Sequence, residues 1–551
     1  MKKLDGPYDL ESLMGTLGDF GKYQAWQFTL HILSALTAGL NMLTLVTVAA
    51  VPEHRCEIPG YDLNQTYTKL NFTEMTKHFP LLDSGKFDKC SLINSTTNLP
   101  YKCSSFVYDH TYYGTSRAIE WEFICDRRWM GAVAQSTYMI GVFTGAVVLG
   151  KMADKYGRKP IFCWSAILQL ILGVTVAFTP EYISFLVIRY LYGIFGSAGA
   201  YIPGFVLTME LVGPSKRSMC GVAFQAVFAV GIMLVAGWGA IIKDRQILQI
   251  IYGCHALLLV GHIWLMDESP RWLWSNGRIR ESVEIVKKAL KMNGSPINLD
   301  TAEFVSKGMS EVRTNDESGS IGDLFRTPNL RKKTFNVLLC WFANSLVYYG
   351  LSLTTNSMEG NPYINMFIMG LVEIPSYILT VYLMDRLGRR TLTAVEMILG
   401  AICCIIAANV TAGAVSMTFT FTGKFLIASS FAIIYNFSAE LFPTMVRSFV
   451  MGLGAMCARG AGAAIPLLSL LDSFDPKIPA MIFSVVSLIS GFLVMFLPET
   501  LNKPMPQTIQ EGEEFGVGDT TFSSLCGEKL SHERSLGKPS KTEAEQMQPL
   551  R

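Results

Sequence analysis

Charged residues are scarce in this chain. Lys and Arg number 46 and Asp and Glu 44 among 551 residues, so 16% of positions carry charge, against about 25% in soluble globular proteins. Hydrophobic residues make up 50% and the mean hydropathy is +0.32. A soluble protein of this length needs more charged surface, because large exposed apolar patches promote aggregation. The composition argues against a soluble multidomain enzyme and indicates a membrane protein.

Several functional signatures are also missing. The net charge of +2 provides no field that would attract nucleic acid. The run from Gly145 to Lys151 approaches a phosphate-binding loop, but Met152 stands where that loop needs Ser or Thr. The histidines within the apolar runs, His31, His255 and His262, have no metal-binding spacing, and no Ser-His-Asp array stands out. We therefore expect no enzyme activity, no cofactor, no bound metal and no nucleic-acid partner.

Long apolar runs dominate what is present. Twelve runs are almost free of charge, and each is long enough to cross a hydrocarbon core of about 30 Å. Their continuity predicts helices, since barrel strands alternate and are shorter. The first run is too long for a cleaved signal peptide, so we predict an all-α integral membrane protein with twelve transmembrane helices. Spans 1 to 12 are predicted at 26–51, 131–149, 161–179, 183–209, 219–242, 247–266, 334–353, 363–384, 391–411, 415–439, 448–471 and 478–497.

The first polar segment, residues 52–130, has extracellular features. It contains four cysteines and three Asn-x-Ser/Thr acceptors for glycosylation, a combination typical of chains outside the cell. Two disulfides are expected, with three possible pairings. The cysteines are Cys56, Cys90, Cys103 and Cys125, and the acceptors are Asn64, Asn71 and Asn94.

The other polar segments and the short basic loops define the topology. Residues 1–25 form the N-terminal segment, 267–333 is rich in charge with helical periodicity, and 498–551 has the composition of a largely disordered tail. Basic residues of the short loops fall on the side opposite the glycosylation acceptors, as the positive-inside rule requires. We therefore expect all three segments, and both termini, in the cytosol. These basic residues are Lys151, Lys155, Arg158, Lys159, Lys216, Arg217, Arg386, Arg389 and Arg390.

Three short motifs occur twice at nearly one offset. Asp154 and Asp385 begin related turns 231 residues apart, the Glu-Leu pairs at Glu210 and Glu440 are 230 apart, and Glu268 and Glu499 are again 231 apart. This agreement predicts two parallel six-helix repeats. The halves are expected at 26–266 and 334–497.

The repeated motifs carry acids and bases that could form a cytosolic gate. We expect Arg158 and Arg389 to reach acidic residues at the helix ends, in pairs that form as the cytosolic ends of the halves close and break as they open. The alternative is that these residues only anchor the topology, with Gly157 and Gly388 allowing tight turns. The candidate gate residues are Asp154, Arg158, Glu210, Arg217, Glu268, Arg271, Asp385, Arg389, Glu440, Arg447 and Glu499.

These motifs resemble a known family. The doubled Gly-x-x-x-Asp-(Arg/Lys)-x-Gly-Arg-(Arg/Lys) turn and the twelve spans are similar to the major facilitator superfamily. Residues 15–515 more narrowly resemble the organic ion transporters of solute carrier family 22. The resemblance implies a plasma-membrane carrier whose central cavity opens alternately to either side. The segments that carry it are 52–56, 120–125, 267–273, 440–447 and 497–504.

Five charged residues fall inside the twelve spans: Arg189, Glu373, Glu396, Lys424 and Arg459. An ionised group at the bilayer centre costs about 2.5 to 3.5 kcal/mol. Glu373 and Arg459 lie near the middle of spans 8 and 11, beyond the reach of snorkelling. We expect both to face a watery cavity, with a structural pair between them as the alternative. Snorkelling or structural pairing is expected for Glu396 and Arg189, and Lys424 is intermediate.

Aromatic residues supply surfaces that attract organic cations, each ring contributing about 0.5 to 2 kcal/mol. Trp341 and Tyr348 share a face of span 7, and Tyr377 lies four residues after Glu373. The alternative for each ring is packing or an interfacial belt. The resemblance places eight candidate residues in the family's cavity, namely Tyr201, Gln225, Phe228, Trp341, Tyr348, Glu373, Lys424 and Arg459.

The two central charges have opposite signs and leave the substrate open. Arg459 resembles carnitine and anion carriers, whereas Glu373 within the segment 372–375 looks like cation and carnitine carriers. We expect a carrier of small organic cations, including zwitterionic quaternary amines, driven by the membrane potential and the substrate gradient. An organic anion exchanger and a non-transporting receptor-like homologue are the alternatives. The oligomeric state is left open.

Overall fold

The spans form a bundle of long helices. A computed structural model describes residues 2–3, 9–62, 66–81, 87–94, 97–306, 320–353, 358–410, 413–503 and 505–516. Eleven helices in this part of the chain are long and apolar enough to cross a membrane, and a shorter apolar helix, Ile478–Val494, supplies span 12. Spans 1 to 11 are Lys22–Val48, Cys125–Tyr156, Arg158–Phe178, Tyr182–Leu211, Pro214–Ile241, Arg245–Leu265, Pro328–Leu353, Pro362–Leu387, Arg389–Asn409, Ala414–Leu441 and Met445–Ser473.

Several spans extend beyond the predicted apolar runs. Span 5 begins at Pro214 and span 7 at Pro328, five and six residues before their apolar runs. The helices continue into polar sequence beyond the hydrocarbon core. The length of the apolar run therefore underestimates the length of the helix. Spans 3 and 9 begin at Arg158 and Arg389, directly after glycines with φ values of 110° and 84°.

Span 4 is interrupted. Its two α-helical parts, Tyr182–Gly193 and Tyr201–Leu211, are joined by a π-helical segment at Ile194–Gly199. The Asn41 amide of span 1 donates to the Gly196 carbonyl of this segment over 3.2 Å. The interruption places Ser197 and Tyr201 on the side of span 4 that faces the centre of the bundle.

Each half supplies most of one large apolar cluster. In the N-terminal half, buried Tyr138, Tyr192 and Phe224 belong to one apolar cluster. In the C-terminal half, Trp341 and Phe437 belong to another. Each cluster also takes in residues of the opposite half, Met366 in the first and Val222 and Ala229 in the second, so the two halves pack against each other.

The segment between spans 1 and 2, which the sequence predicts to be extracellular, is held by short strands and two cysteine pairs. After that prediction we call this end of the bundle the extracellular end and the opposite end the cytosolic end. His54–Cys56 pairs antiparallel with Phe106–Tyr108, and Ser91–Ile93 pairs antiparallel with Pro100–Lys102. Cys56 lies within disulfide distance of Cys103, and Cys90 of Cys125, with Cα separations of 5.8 and 5.9 Å. Asn71 and Asn94 are exposed, whereas Asn64 lies outside the described residues. The short helices of this segment are Phe72–His78 and Arg117–Glu120.

The cytosolic elements pack on different halves. Helices Leu10–Gly15, Pro270–Ser275 and Ile279–Asn293 form a small apolar cluster beneath span 1. Strands Lys2–Lys3 and Ile297–Asn298 pair in parallel. Helix Ile509–Glu514 instead docks on span 7, where the Glu513 carboxylate accepts the N–H groups of Asn329 and Leu330 over 2.8 and 2.7 Å. A short helix, Asp323–Arg326, precedes span 7.

The halves meet at their extracellular ends. Arg128 near the start of span 2 forms an ion pair with Asp472 at the end of span 11. Ser136 donates to the Ala463 carbonyl over 2.8 Å, again joining spans 2 and 11. Spans 2 and 11 therefore hold the two halves in contact at this end of the bundle.

Candidate substrate site and cytosolic charge clusters

A cavity lies between the halves at the middle of the bundle. Its volume of about 60 Å³ accommodates roughly four waters, so an organic substrate requires its side chains to move apart. The walls come from spans 1, 2, 4, 5, 7, 10 and 11 and are mostly aromatic, with six rings. The ring residues are Tyr201, Phe228, Tyr348, Tyr349, Phe431 and Tyr435, and the polar or charged lining residues beside them are Ser197, Gln225 and Arg459.

Arg459 is the charged residue of this cavity wall. Its guanidinium donates to the Ala455 carbonyl one turn earlier over 3.1 Å. Tyr201, Tyr349 and Tyr435 line the same cavity. Within the described part of the chain Arg459 makes no ion pair with an acid. The cavity therefore presents a positive charge beside aromatic faces.

Glu373 does not line this cavity. It is fully buried and forms an ion pair with Lys424 of span 10, with Nζ and Oε1 separated by 3.0 Å. Its other oxygen accepts the hydroxyl groups of Tyr348 and Tyr377 over 2.9 and 2.8 Å. Lys424 also donates to Ser352 over 2.6 Å. The geometry therefore differs from the sequence-based expectation, because the acid that was to share the cavity with Arg459 is neutralised behind its wall.

The predicted binding residues separate into two groups. Tyr201, Gln225, Phe228, Tyr348 and Arg459 line the cavity. The remaining four lie outside its wall, namely Trp341, Glu373, Tyr377 and Lys424.

Trp341, one of the four residues outside the wall, packs against a residue of the cavity wall. Trp341 is buried, donates to Ser438 over 3.0 Å, and packs its ring 4.3 Å from that of Tyr435. Sequence reasoning did not find Tyr349, Phe431 or Tyr435. The last two are four residues apart in span 10, and this helical spacing was the available signal.

A second cavity of about 200 Å³ lies toward the cytosolic ends of spans 4, 5, 10 and 11. Gln225 and Tyr435 line both cavities. Arg217 borders the second cavity. The Gln225 and Tyr435 side chains thus form a thin partition between the centre and the cytosolic side.

The N-terminal half carries one cytosolic charge cluster. Arg158 forms ion pairs with Asp154 and Glu210, each at 3.1 Å. Glu268 binds differently from expectation, because it accepts the backbone N–H groups of Arg158 and Lys159 over 3.2 and 3.1 Å at the start of span 3. Burial raises the pKa of the Glu268 carboxyl above its usual range, and these N–H groups partly offset the effect.

The C-terminal half repeats this arrangement. Arg389 forms ion pairs with Glu440 at 3.0 Å and Asp385 at 3.2 Å. Glu499 accepts the N–H groups of Arg389 and Arg390 over 2.8 and 3.1 Å at the start of span 9. Two carboxylates thus cap the positive ends of two equivalent helices.

The remaining gate candidates also bond within their own half. Arg217 donates to the Val212 carbonyl over 3.2 Å, and Arg447 to the Phe442 carbonyl over 3.4 Å. Arg271 forms an ion pair with Glu11 at 2.6 Å, which lowers the pKa of the Glu11 carboxyl. Among the described residues, no ion pair of these clusters joins the two halves on the cytosolic side.

Comparisons with known proteins agree with this architecture. Residues 89–510 match the family model described as sugar (and other) transporter. The chain is similar in fold to the proton:xylose symporter XylE bound to 6-bromo-6-deoxy-D-glucose, with a TM-score of 0.59, 16% identity, and coverage of 89% of this chain and 98% of that one.

Curated relatives narrow the class. The organic cation transporter protein of Drosophila melanogaster is 38% identical, covering 91% of this chain and 94% of its own. Solute carrier family 22 member 6-B of Xenopus laevis is 31% identical, with coverage of 91% and 94%. The beta-alanine transporter of Drosophila melanogaster is 28% identical, with coverage of 92% and 89%.

The duplicated helical bundle around a central cavity defines a multi-pass membrane transporter, not an enzyme. Within that class, the chain belongs to the major facilitator superfamily and to the organic ion transporters of solute carrier family 22.

Proposed function

We propose that this transporter carries small zwitterionic amines, molecules that bear a carboxylate and a protonated or quaternary nitrogen. The observation that carries the proposal is Arg459, a guanidinium without an acidic partner among the described residues, in a cavity lined by six aromatic rings. Arg459 would bind the carboxylate, and the rings of Tyr201, Tyr348 and Tyr435 would receive the cationic nitrogen.

The energies favour a zwitterion over a bare cation. Unit charges about 5 Å apart repel by roughly 3 kcal/mol at an effective dielectric constant near 20. One or two rings, at about 0.5 to 2 kcal/mol each, only offset this repulsion. A carboxylate bonded to Arg459 replaces the repulsion by an attraction of about 1.5 to 3 kcal/mol.

The relatives support the same range of substrates. Their names include an organic cation transporter and a beta-alanine transporter. β-Alanine carries an ammonium and a carboxylate at neutral pH, so both names fit a site with aromatic faces and one guanidinium. An organic anion is the second candidate, because Arg459 would bind its carboxylate without help from the rings.

Alternating access would use the cytosolic clusters as a gate. With the extracellular ends in contact through Arg128 and Asp472, each cytosolic cluster is complete within its own half. Closing the cytosolic side would bring the helix ends with Glu210 and Glu440 against the opposite half and exchange partners there. A zwitterion carries no net charge, so its own gradient, and not the membrane potential, would drive it.

We place the protein in the plasma membrane with both termini in the cytosol. The exposed acceptors Asn71 and Asn94 and the cysteine pairs lie together in the segment between spans 1 and 2, and the clusters lie at the opposite ends of the spans. This topology is tested by glycosidase treatment of surface-labelled protein. The enzyme should shift the size of the wild type, and it should not shift the triple variant in which Asn64, Asn71 and Asn94 are all replaced by Gln.

The substrate class is tested by uptake of three probes of similar size into proteoliposomes. The probes are carnitine, a quaternary amine without the carboxylate, and a carboxylate without the amine. Arg459→Gln should lower kcat/KM for carnitine by about 10- to 150-fold, which corresponds to about 1.5 to 3 kcal/mol, and should not lower uptake of the bare amine.

Two further variants sharpen the result. Arg278→Gln, which replaces an exposed arginine of the cytosolic insert, should leave all three uptakes unchanged. Glu373→Gln should impair the three probes together through the cavity wall. Carnitine uptake that survives Arg459→Gln, or an amine-specific loss in Glu373→Gln, would contradict the proposed site.

A further inference from the structure

Glu396 of span 9 is a buried acid that neither the cavity nor the cytosolic clusters use. The residue is 6% exposed. One carboxyl oxygen lies 2.5 Å from the Ser429 hydroxyl of span 10. The other oxygen is buried and has no hydrogen-bond partner within the described part of the chain.

No basic side chain neutralises this carboxyl among the described residues. Span 9 packs against spans 8, 10 and 12. The nearby bases are engaged elsewhere: Lys424 with Glu373, Arg389 with Glu440, and Arg390 with the Leu497 carbonyl. Span 12 has no ionisable side chain between 478 and 494. The other ionisable groups of these helices are Tyr363, Glu373, Tyr377, Tyr382, Asp385, Arg386, Cys403, Cys404, Tyr435 and Glu440.

A chain of hydroxyl groups continues from Glu396 across three helices. Ser429 lies 2.6 Å from the Thr380 hydroxyl of span 8, and Thr380 donates to the Ser376 carbonyl over 2.7 Å. When Glu396 carries a proton, it donates to Ser429, Ser429 donates to Thr380, and every hydroxyl hydrogen has an acceptor. An ionised carboxylate would have a single hydroxyl donor and, among the described residues, no basic partner in a medium of low dielectric constant.

The duplicated half shows that the fold does not require an acid here. The positions equivalent to Glu396, Ser429 and Thr380, at offsets of 231, 230 and 231, are Ser165, Gly199 and Leu149. Ser165 and Gly199 are again in close contact, because a Cβ on Gly199 would collide with the Ser165 side chain. The acid and its hydroxyl chain are therefore a feature of the C-terminal half alone.

We propose that Glu396 is a proton-binding site that controls transport. The proton holds spans 8, 9 and 10 together through Ser429 and Thr380. Phe431 of the cavity wall follows Ser429 by two residues, and Tyr377 precedes Thr380 by three. Loss of the proton would leave a buried charge between these helices and shift the cavity wall. This inference goes beyond the choice of substrate.

Infrared spectroscopy of the purified full-length protein tests the proton site without a substrate. The wild-type spectrum minus that of Glu396→Gln should contain the C=O stretch of a protonated carboxylic acid at neutral pH, and the band should vanish at alkaline pH. Glu181→Gln, at an exposed acid before span 4, should produce no such band. If the difference spectrum between wild type and Glu396→Gln lacks this band at neutral pH, the proposal is overturned.

Uptake at a clamped membrane potential tests whether the proton on Glu396 controls transport. The substrate is whichever of the three probes the protein transports. Wild-type uptake should fall as pH rises, because the neutral acid ionises. Glu396→Gln, which keeps a neutral side chain able to donate to Ser429, should lose this decline, whereas Glu396→Asp should retain it. A decline that is identical in wild type and Glu396→Gln would overturn a controlling role even if the infrared band is present. Failure of the substrate proposal would leave both readouts intact.

Discussion

The ion pair between Glu373 and Lys424 decides how the binding site is interpreted, and its strength can be measured. Both side chains are fully buried, with 3.0 Å between Nζ and Oε1. Replacing Lys424 by Met would leave a buried carboxylate held only by the hydroxyl groups of Tyr348 and Tyr377. Breaking a buried pair in this way costs about 3 to 5 kcal/mol.

The double variant should recover most of that loss. In Lys424→Met/Glu373→Gln no charge stays buried, and a neutral amide can still accept the two tyrosine hydroxyls. We expect an unfolding free energy within about 1 kcal/mol of wild type, since replacing both partners of a buried pair is often close to neutral. The coupling energy of the cycle should therefore be at least about 3 kcal/mol.

Unfolding in mixed micelles with increasing denaturing detergent supplies the measurement. The exposed pair Arg280 and Glu284, with side chains 80% and 57% accessible, is the control and should couple by only about 0.3 to 0.5 kcal/mol. If the central cycle is equally weak, Glu373 and Lys424 are not paired. Glu373 would then be free to meet a cation, and the argument for a zwitterion would fail.

Three further predictions concern the ends of the spans and the segment between spans 1 and 2. Glu268→Ala and Glu499→Ala each remove a carboxylate from the start of a helix, so each should cost about 0.5 to 2 kcal/mol of stability, measured by the same unfolding assay; an unchanged stability would refute the capping role. Arg158→Ala should reduce transport far more than surface expression, and equal losses of both would favour a topological anchor. Peptide mapping without reduction should recover Cys56 linked to Cys103 and Cys90 linked to Cys125, and any other linkage would contradict this pairing.

Local pattern was enough for the membrane architecture. The apolar runs predicted the spans, because each run is one continuous stretch of sequence. The two halves were predicted from short motifs that recur at an offset of about 231 residues. Helix ends were less predictable, since span 5 begins at Pro214 in polar sequence. The spacing of Arg158 and Glu210 also indicated a pair, whereas the contact of Glu268 with backbone N–H groups could not be read from side-chain types.

Few charges fall within the apolar runs, so the sequence alone singled out Glu373 and Arg459. The folded arrangement was needed to show which of them faces the cavity. The pairing depends on the rotation and depth of separate helices, which place Lys424 of span 10 against Glu373 and leave Arg459 of span 11 among the rings. The same packing surrounds Glu396 with hydroxyl groups and no base among the described residues, an environment that depends on three helices at once.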